Sequence, residues 1–169
     1  SPAAYIGANP NELDGAALLA RLRVTGEAIK EIENTQYIIP GIIAQGHVQV
    51  FIAKPNTGKT ALLMHLCEEM HSTHEITYYT LDGNQADIKR HFEQSEQCSG
   101  YDVLKHHLMK SNMQDVHNLL QWFAKQSNMG NRVLVLDTLK QFCNVIQKDE
   151  LKAFMQLCRG ISMAGCTVI

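Results

Sequence analysis

The apolar positions change period several times along the chain. Over residues 11–23 they fall at Leu13, Ala17, Leu18 and Leu22, a helical spacing, and residues 26–33 leave room for a second helix before a turn at Pro40-Gly41. From Gly46 onward, short β-rich runs alternate with helical windows. "HVQVFIA" (47–53) predicts a strand, and residues 60–70 predict a helix with Leu62, Leu63, Leu66, Cys67 and Met70 on one side. "EITYYTL" predicts a second strand, closed by the turn signal Asp82-Gly83-Asn84. Residues 86–97 read as helical, and 101–112 stay open between a loop and a short strand around Leu108. Residues 113–125 predict a helix with Val116, Leu119, Leu120 and Phe123 inward. "RVLVLDT" is a nearly continuous apolar run, as in a strand covered on both faces. A helix over 149–163, opened by acids and ending near Gly165, leads to the start of another strand in "CTVI". Strands alternating with helices imply βαβ units with right-handed crossovers, hence an α/β fold whose mostly parallel sheet is flanked by helices.

Composition narrows the class. A chain of 169 residues, 45% of them hydrophobic, is enough for one core. With 15 basic against 17 acidic residues, no bulk charge points to nucleic acid or a membrane surface, although a local basic groove stays open. The five cysteines, Cys67, Cys98, Cys143, Cys158 and Cys166, show neither a CxxC pair nor metal-ligand spacing. They read as reduced thiols of a cytoplasmic protein, mostly filling the core. The longest near-apolar run, 37–44, is broken by Pro40 and Gly41 and is too short to span a bilayer, so no membrane role is expected. No secretory signal opens the chain, and both ends read as cut, from Ser1 to a strand just beginning at "CTVI". The expected organisation is a helical lead-in over 1–36 and a core over 37–169.

The chemistry concentrates in Ala53-Lys54-Pro55-Asn56-Thr57-Gly58-Lys59-Thr60, between the predicted strand and helix. In the pattern G-x-x-x-x-G-K-[ST], backbone N–H groups point at phosphates and the following helix adds the positive end of its dipole. Lysine reaches the β- and γ-phosphates, and the hydroxyl is a Mg²⁺ ligand. Gly58, Lys59 and Thr60 are all in place. Ala53 stands where the pattern has its first glycine, a position that mainly turns the strand into the loop, so one added methyl group is tolerable there. The cradle, Ala53 through Ala61, is therefore read as binding ATP or ADP with Mg²⁺.

A second signal lies about eighty residues on, where "VLVLDT" ends a buried strand in Asp137. Ligands of open parallel sheets bind at the C-terminal strand ends, and a carboxylate there can hold Mg²⁺ through water. The competing reading is a capping aspartate. Hydrolysis also needs a group to orient the attacking water, and Asp82, at the end of the second strand, is the candidate if that strand neighbours the aspartate strand. An ordinary Asp-Gly-Asn turn explains the same residues.

"FIAKPNTGKTALLMHL", "ITYYTLDGNQADIKRHF", "NRVLVLDTLKQF" and the lead-in "YIIPGIIAQGHVQV" together resemble the RecA-like ATPases, and within them the RepA-like hexameric helicase branch of plasmids and other mobile elements. The likeness covers residues 37–169. The loop is shared by all P-loop NTPases, whereas Asp137-Thr138 is more telling: AAA-plus ATPases usually carry Asp-Glu there. The resemblance implies a RecA-like P-loop NTPase core, incomplete at its C-terminal end, that acts as an ATPase. It implies Lys59 on phosphate, Thr60 on Mg²⁺, Asp137 organising Mg²⁺ water, and Asp82 where the family has glutamate. It further implies a homo-oligomer, hexameric in that branch, and single-stranded DNA as a partner. Asp82 is one methylene shorter than glutamate, and the family's sensor strand and DNA-facing loops would follow Ile169. Weak or absent turnover is thus expected of these residues alone.

Other signals are bland. His65, His71 and His74 lie on or just past the first core helix, where the dipole favours histidine, and no carboxylate or cysteine completes a metal set in the sequence. His106-His107 reads as solvated, Lys89, Arg90 and His91 as a solvated helix face, and Trp122 and Phe123 as packing residues. The leading reading is the ATP-binding core of a DNA helicase or a replication or recombination protein. The rival is a non-motor module that uses nucleotide as a regulatory or assembly switch, and a small-molecule kinase is disfavoured by the lack of an Arg-rich lid.

Overall fold

A computed structural model of the chain describes residues 34–80, the backbone of 101–104, residues 113–169, and the single positions 17, 20, 21, 23, 26, 89, 90 and 93. The chain divides into two compact units, Ser1–Asn34 and Thr35–Ile169. In the first, positions 17, 20, 21 and 26 are helical and position 23 is not, and the rest of the helices expected over 11–23 and 26–33 lies outside the described residues.

The second unit opens with a small hairpin. Strand β1 (Tyr37–Ile39) pairs antiparallel with β2 (Ile43–Ala44) around Pro40-Gly41, where Ile42 N donates to Ile39 O at 3.0 Å. Pro40-Gly41 is the turn the sequence predicts, and the two strands it joins are an addition to that reading. Helix α1 (Lys59–Met70) follows, then strands β3 (Glu75–Thr80) and β4 (Tyr101–Leu104), helix α2 (Met113–Ala124), strand β5 (Arg132–Asp137), a 3₁₀ turn (Leu139–Gln141), helix α3 (Lys148–Met163) and strand β6 (Thr167–Val168). The sheet has the order β4-β3-β5-β6 and every pairing in it is parallel. It is an α/β fold with a parallel sheet flanked by helices.

Strand alternation divides the core in two. On one face Ile76 and Tyr78 of β3 and Val133 and Val135 of β5 pack with Leu63, Met64, Leu66, Cys67 and Met70 of α1 and with Ile39 and Ile43 of the hairpin. On the other, Tyr79 and Leu134 pack with Val116, Leu120 and Phe123 of α2 and Phe154, Cys158 and Ile161 of α3. Both faces are covered, which is why β5 reads as a continuous apolar run rather than an alternating one. Asp137 continues the Val133-Val135 side, so its carboxylate falls on the α1 face.

The structure changes three details. The strand expected over 47–53 reduces to one parallel bridge, Val48 with Val168, closed by Gln49 N to Val168 O (2.8 Å) and Val168 N to His47 O (3.0 Å). Beyond Gln49 this segment meets no sheet neighbour among the described residues, and Val50 (54%) and Ile52 (93%) stand exposed. In α1 the buried arc runs through Leu63, Leu66, Cys67 and Met70, and Met64 rather than Leu62 joins it. The third is β4, which forms at 101–104 within the stretch the sequence left open, while Leu108 lies outside the described residues.

One glycine is required by close approach. Gly165, at φ +100° between α3 and β6, would bring a Cβ to 3.0 Å from Gly130 N. Among the described residues no helix is long and apolar enough to cross a membrane.

Candidate nucleotide-binding site

The loop that feeds α1 is exposed from Ala53 through Gly58. It turns through Pro55 and Asn56, the latter at φ 60°, and Thr57 Oγ1 donates to Lys54 O at 2.7 Å, bracing the bend from within. Gly58 then caps α1 at φ 85°, ψ 16°, in the left-handed region. A Cβ on Gly58 would meet nothing within 4 Å, so glycine is needed there for its backbone angle and not for space within the protein.

The start of α1 is left open to an anion. No side chain caps it and no acidic residue lies in its first turn. The first intrahelical bond runs from Leu62 N to Gly58 O at 2.9 Å, which leaves the N–H groups of Lys59, Thr60 and Ala61 without intrahelical partners, at the positive end of the helix dipole.

Beneath this opening lies Asp137, only 2% exposed, at the C-terminal end of β5. Lys59 Nζ bonds to its Oδ1. Thr60 Oγ1 donates to its Oδ2 at 2.8 Å, and Tyr78 OH donates to the same Oδ2 at 2.8 Å. A buried carboxylate is tolerable only when paired and hydrogen-bonded, and here a cation and two hydroxyls supply that. The first turn of α1 and the ends of β3 and β5 thus bring the loop lysine, the loop threonine and the strand aspartate to one point. The donor set fits Mg²⁺: Thr60 and Asp137 present hard oxygens 2.8 Å apart, beside a lysine whose charge is available to phosphate.

Asp82 lies outside the described residues. The condition attached to it holds for its strand, since β3 pairs with β5 in parallel and Thr80 stands opposite Asp137. Sequence reasoning missed Tyr78. Its parity with Asp137 follows from the β3–β5 register, which no spacing within either strand reveals.

The histidines find local partners. His65 sits 3.2 Å from Glu69 and 3.7 Å from Glu68, and His71 Nδ1 meets Glu68 O. Burial pulls the His74 imidazole below its ordinary pKa, and its Nδ1 lies 2.8 Å from Thr73 Oγ1. Lys89 pairs with Glu93 at 3.6 Å, whereas His91 and His106-His107 lie outside the described residues. Phe123 is core, but Trp122 is 49% exposed and only edges against it at 5.2 Å.

A Gly-Lys-Thr loop opening a helix over a buried strand-end aspartate, on a parallel sheet covered on both faces, defines a P-loop nucleotide-binding ATPase domain. The family model of an AAA domain, AAA_25, matches residues 16–169, and the chain belongs to that family. No curated protein matches the chain.

Proposed function

We propose that the chain binds ATP with Mg²⁺ through Ala53–Ala61 and hydrolyses it as the RecA-like core of a DNA helicase or a replication or recombination protein. The observation that carries the nucleotide reading is the convergence of Lys59, Thr60 and Asp137 at the open end of α1. Lys59 exchanges the Asp137 carboxylate for phosphate oxygens, and the free N–H groups of the first turn take up the rest of the phosphate charge. Thr60 Oγ1 and Asp137 hold Mg²⁺, which when bound neutralises the charge that develops in phosphoryl transfer. Asp82 orients the attacking water. Single-stranded DNA and homo-oligomer partners, with a hexamer as the assembly, rest on the resemblance of the loop, the second strand and the aspartate strand to RepA-like helicases.

The test is phosphate release at saturating ATP and Mg²⁺, with and without single-stranded DNA, for the natural full-length protein as wild type and as Asp82→Asn. A motor core shows turnover that rises with DNA, and Asp82→Asn abolishes it while nucleotide binding persists. Turnover that DNA does not alter, together with assembly that follows nucleotide, supports the non-motor switch instead. An Asp82→Asn protein as active as wild type removes Asp82 from the catalytic residues.

A further inference from the structure

Tyr78 is fully buried on the α1 face of β3, its ring within the cluster formed by Ile76, Val133, Val135 and α1. An apolar body in that slot needs no hydroxyl, and phenylalanine would fill it as well. The hydroxyl instead reaches Asp137 Oδ2 at 2.8 Å. The register explains the reach: Tyr78 stands opposite Val135, so Asp137 is its diagonal neighbour on the same face, within range of an aromatic side chain.

We propose that Tyr78 is a positioning residue for the Mg²⁺ site, holding the Asp137 carboxylate in the rotation that sets Oδ2 beside Thr60 and Oδ1 toward Lys59. This rests on the reading of Thr60 and Asp137 as the Mg²⁺-holding pair. The terminal torsion of an aspartate is broad, so a carboxylate fixed at one end only by side chains that nucleotide would engage has no defined orientation once they turn away. Lys59 and Thr60 are both such side chains. Tyr78 reaches it from a strand and not from the loop, and its hydrogen bond survives when Lys59 moves to phosphate and Thr60 to metal. It is also a charge-assisted contact, of the stronger class.

The experiment measures ATP affinity of the full chain by calorimetry, in saturating Mg²⁺ and in a chelator, for wild type, Tyr78→Phe, Asp137→Asn and the double variant. Tyr78→Phe is expected to weaken binding by roughly tenfold in Mg²⁺ and to leave Mg²⁺-free binding unchanged. In the Asp137→Asn background it should add nothing, because its effect runs through that carboxylate. Tyr78→Met, which keeps an apolar group in the slot without a hydroxyl, should behave the same way, and it decides the matter if Tyr78→Phe folds poorly. Unchanged Mg²⁺ affinity overturns the proposal, as does an equal loss with and without Mg²⁺, or a loss that persists beside Asp137→Asn. Wild type that binds ATP without regard to Mg²⁺, or Asp137→Asn that keeps the wild-type Mg²⁺ effect, brings down the reading of the site itself. That failure is visible before any Tyr78 variant is compared.

Discussion

Lys59 and Asp137 lie 78 residues apart in sequence, and their side chains meet as an ion pair at the head of α1. The carboxylate is buried, while the ammonium keeps 23% of its side chain exposed. A cation at the mouth and an anion at the floor make the pair a seat that phosphate can enter by displacing one carboxylate oxygen.

The pair also makes a prediction about the empty protein. Lys59→Ala leaves Asp137 buried with the Thr60 and Tyr78 hydroxyls as its donors, and losing one partner of such a pair is costly. Because Thr60 and Tyr78 remain, the nucleotide-free chain should lose about 1–3 kcal/mol of stability. Adding Asp137→Asn, which removes the orphaned charge, should recover part of it. Urea denaturation of the two single variants and the double variant reads this directly, and additive losses would rule out the coupling.

Gly58 carries a separate expectation. At φ 85° with open space around it, a side chain there is strained but meets no clash within the protein. Gly58→Ala should therefore cost about 1–2 kcal/mol of stability, through the backbone alone. Nucleotide affinity should fall further than that strain accounts for, because the loop pattern brings backbone and phosphate together at this glycine, with no room for a Cβ between them. Stability measured by urea and affinity by calorimetry separate the two effects, and an unchanged affinity would mean that phosphate does not pass Gly58.

The site was legible in the sequence where it depends on contiguous residues. Gly58-Lys59-Thr60 and the helix behind it need only local spacing, and Asp137 announced itself by ending a run too apolar for a half-exposed strand. What depends on partners was not legible. In "TALLMHL" the apolar residues nearly encircle the helix, so spacing alone could not choose Met64 over Leu62. "HVQVFIA" has the composition of a strand, yet its pairing is limited to what β6 offers at Val168. Tyr78 belongs to the site because Thr80 pairs with Asp137, a register set by the packed sheet.

The thiols give a pH dependence. Burial in the core pushes Cys67, Cys158 and Cys166 from 9.0 up to about 12, with Glu68 adding to the effect at Cys67. In the unfolded chain these groups ionise near their ordinary value, so between pH 9 and about 12 the folded state holds more protons than the unfolded state. The associated stability is complete below pH 9 and drains away as pH rises toward 12, by up to about 1.4 kcal/mol per thiol per pH unit. Urea midpoints should be flat from pH 7 to 8.5 and fall steeply by pH 10.5. At pH 8, native Cys67, Cys158 and Cys166 should escape alkylation that modifies them once the chain is unfolded. Midpoints that stay level to pH 10.5 would contradict the burial of these side chains.

Lys59, Thr60 and Asp137 are proposed as one site for ATP with Mg²⁺. It is tested most directly by calorimetric titration of ATP, with Mg²⁺ and with a chelator, into wild type, Lys59→Ala and Asp137→Asn. Wild type should bind more tightly with Mg²⁺. Lys59→Ala should lose at least about tenfold in affinity, the value of a charge-assisted contact. Asp137→Asn should lose the Mg²⁺ advantage while Mg²⁺-free binding changes little. Equal affinity for wild type and Lys59→Ala, or an Asp137→Asn variant that is folded yet weakened equally with and without Mg²⁺, would contradict the account.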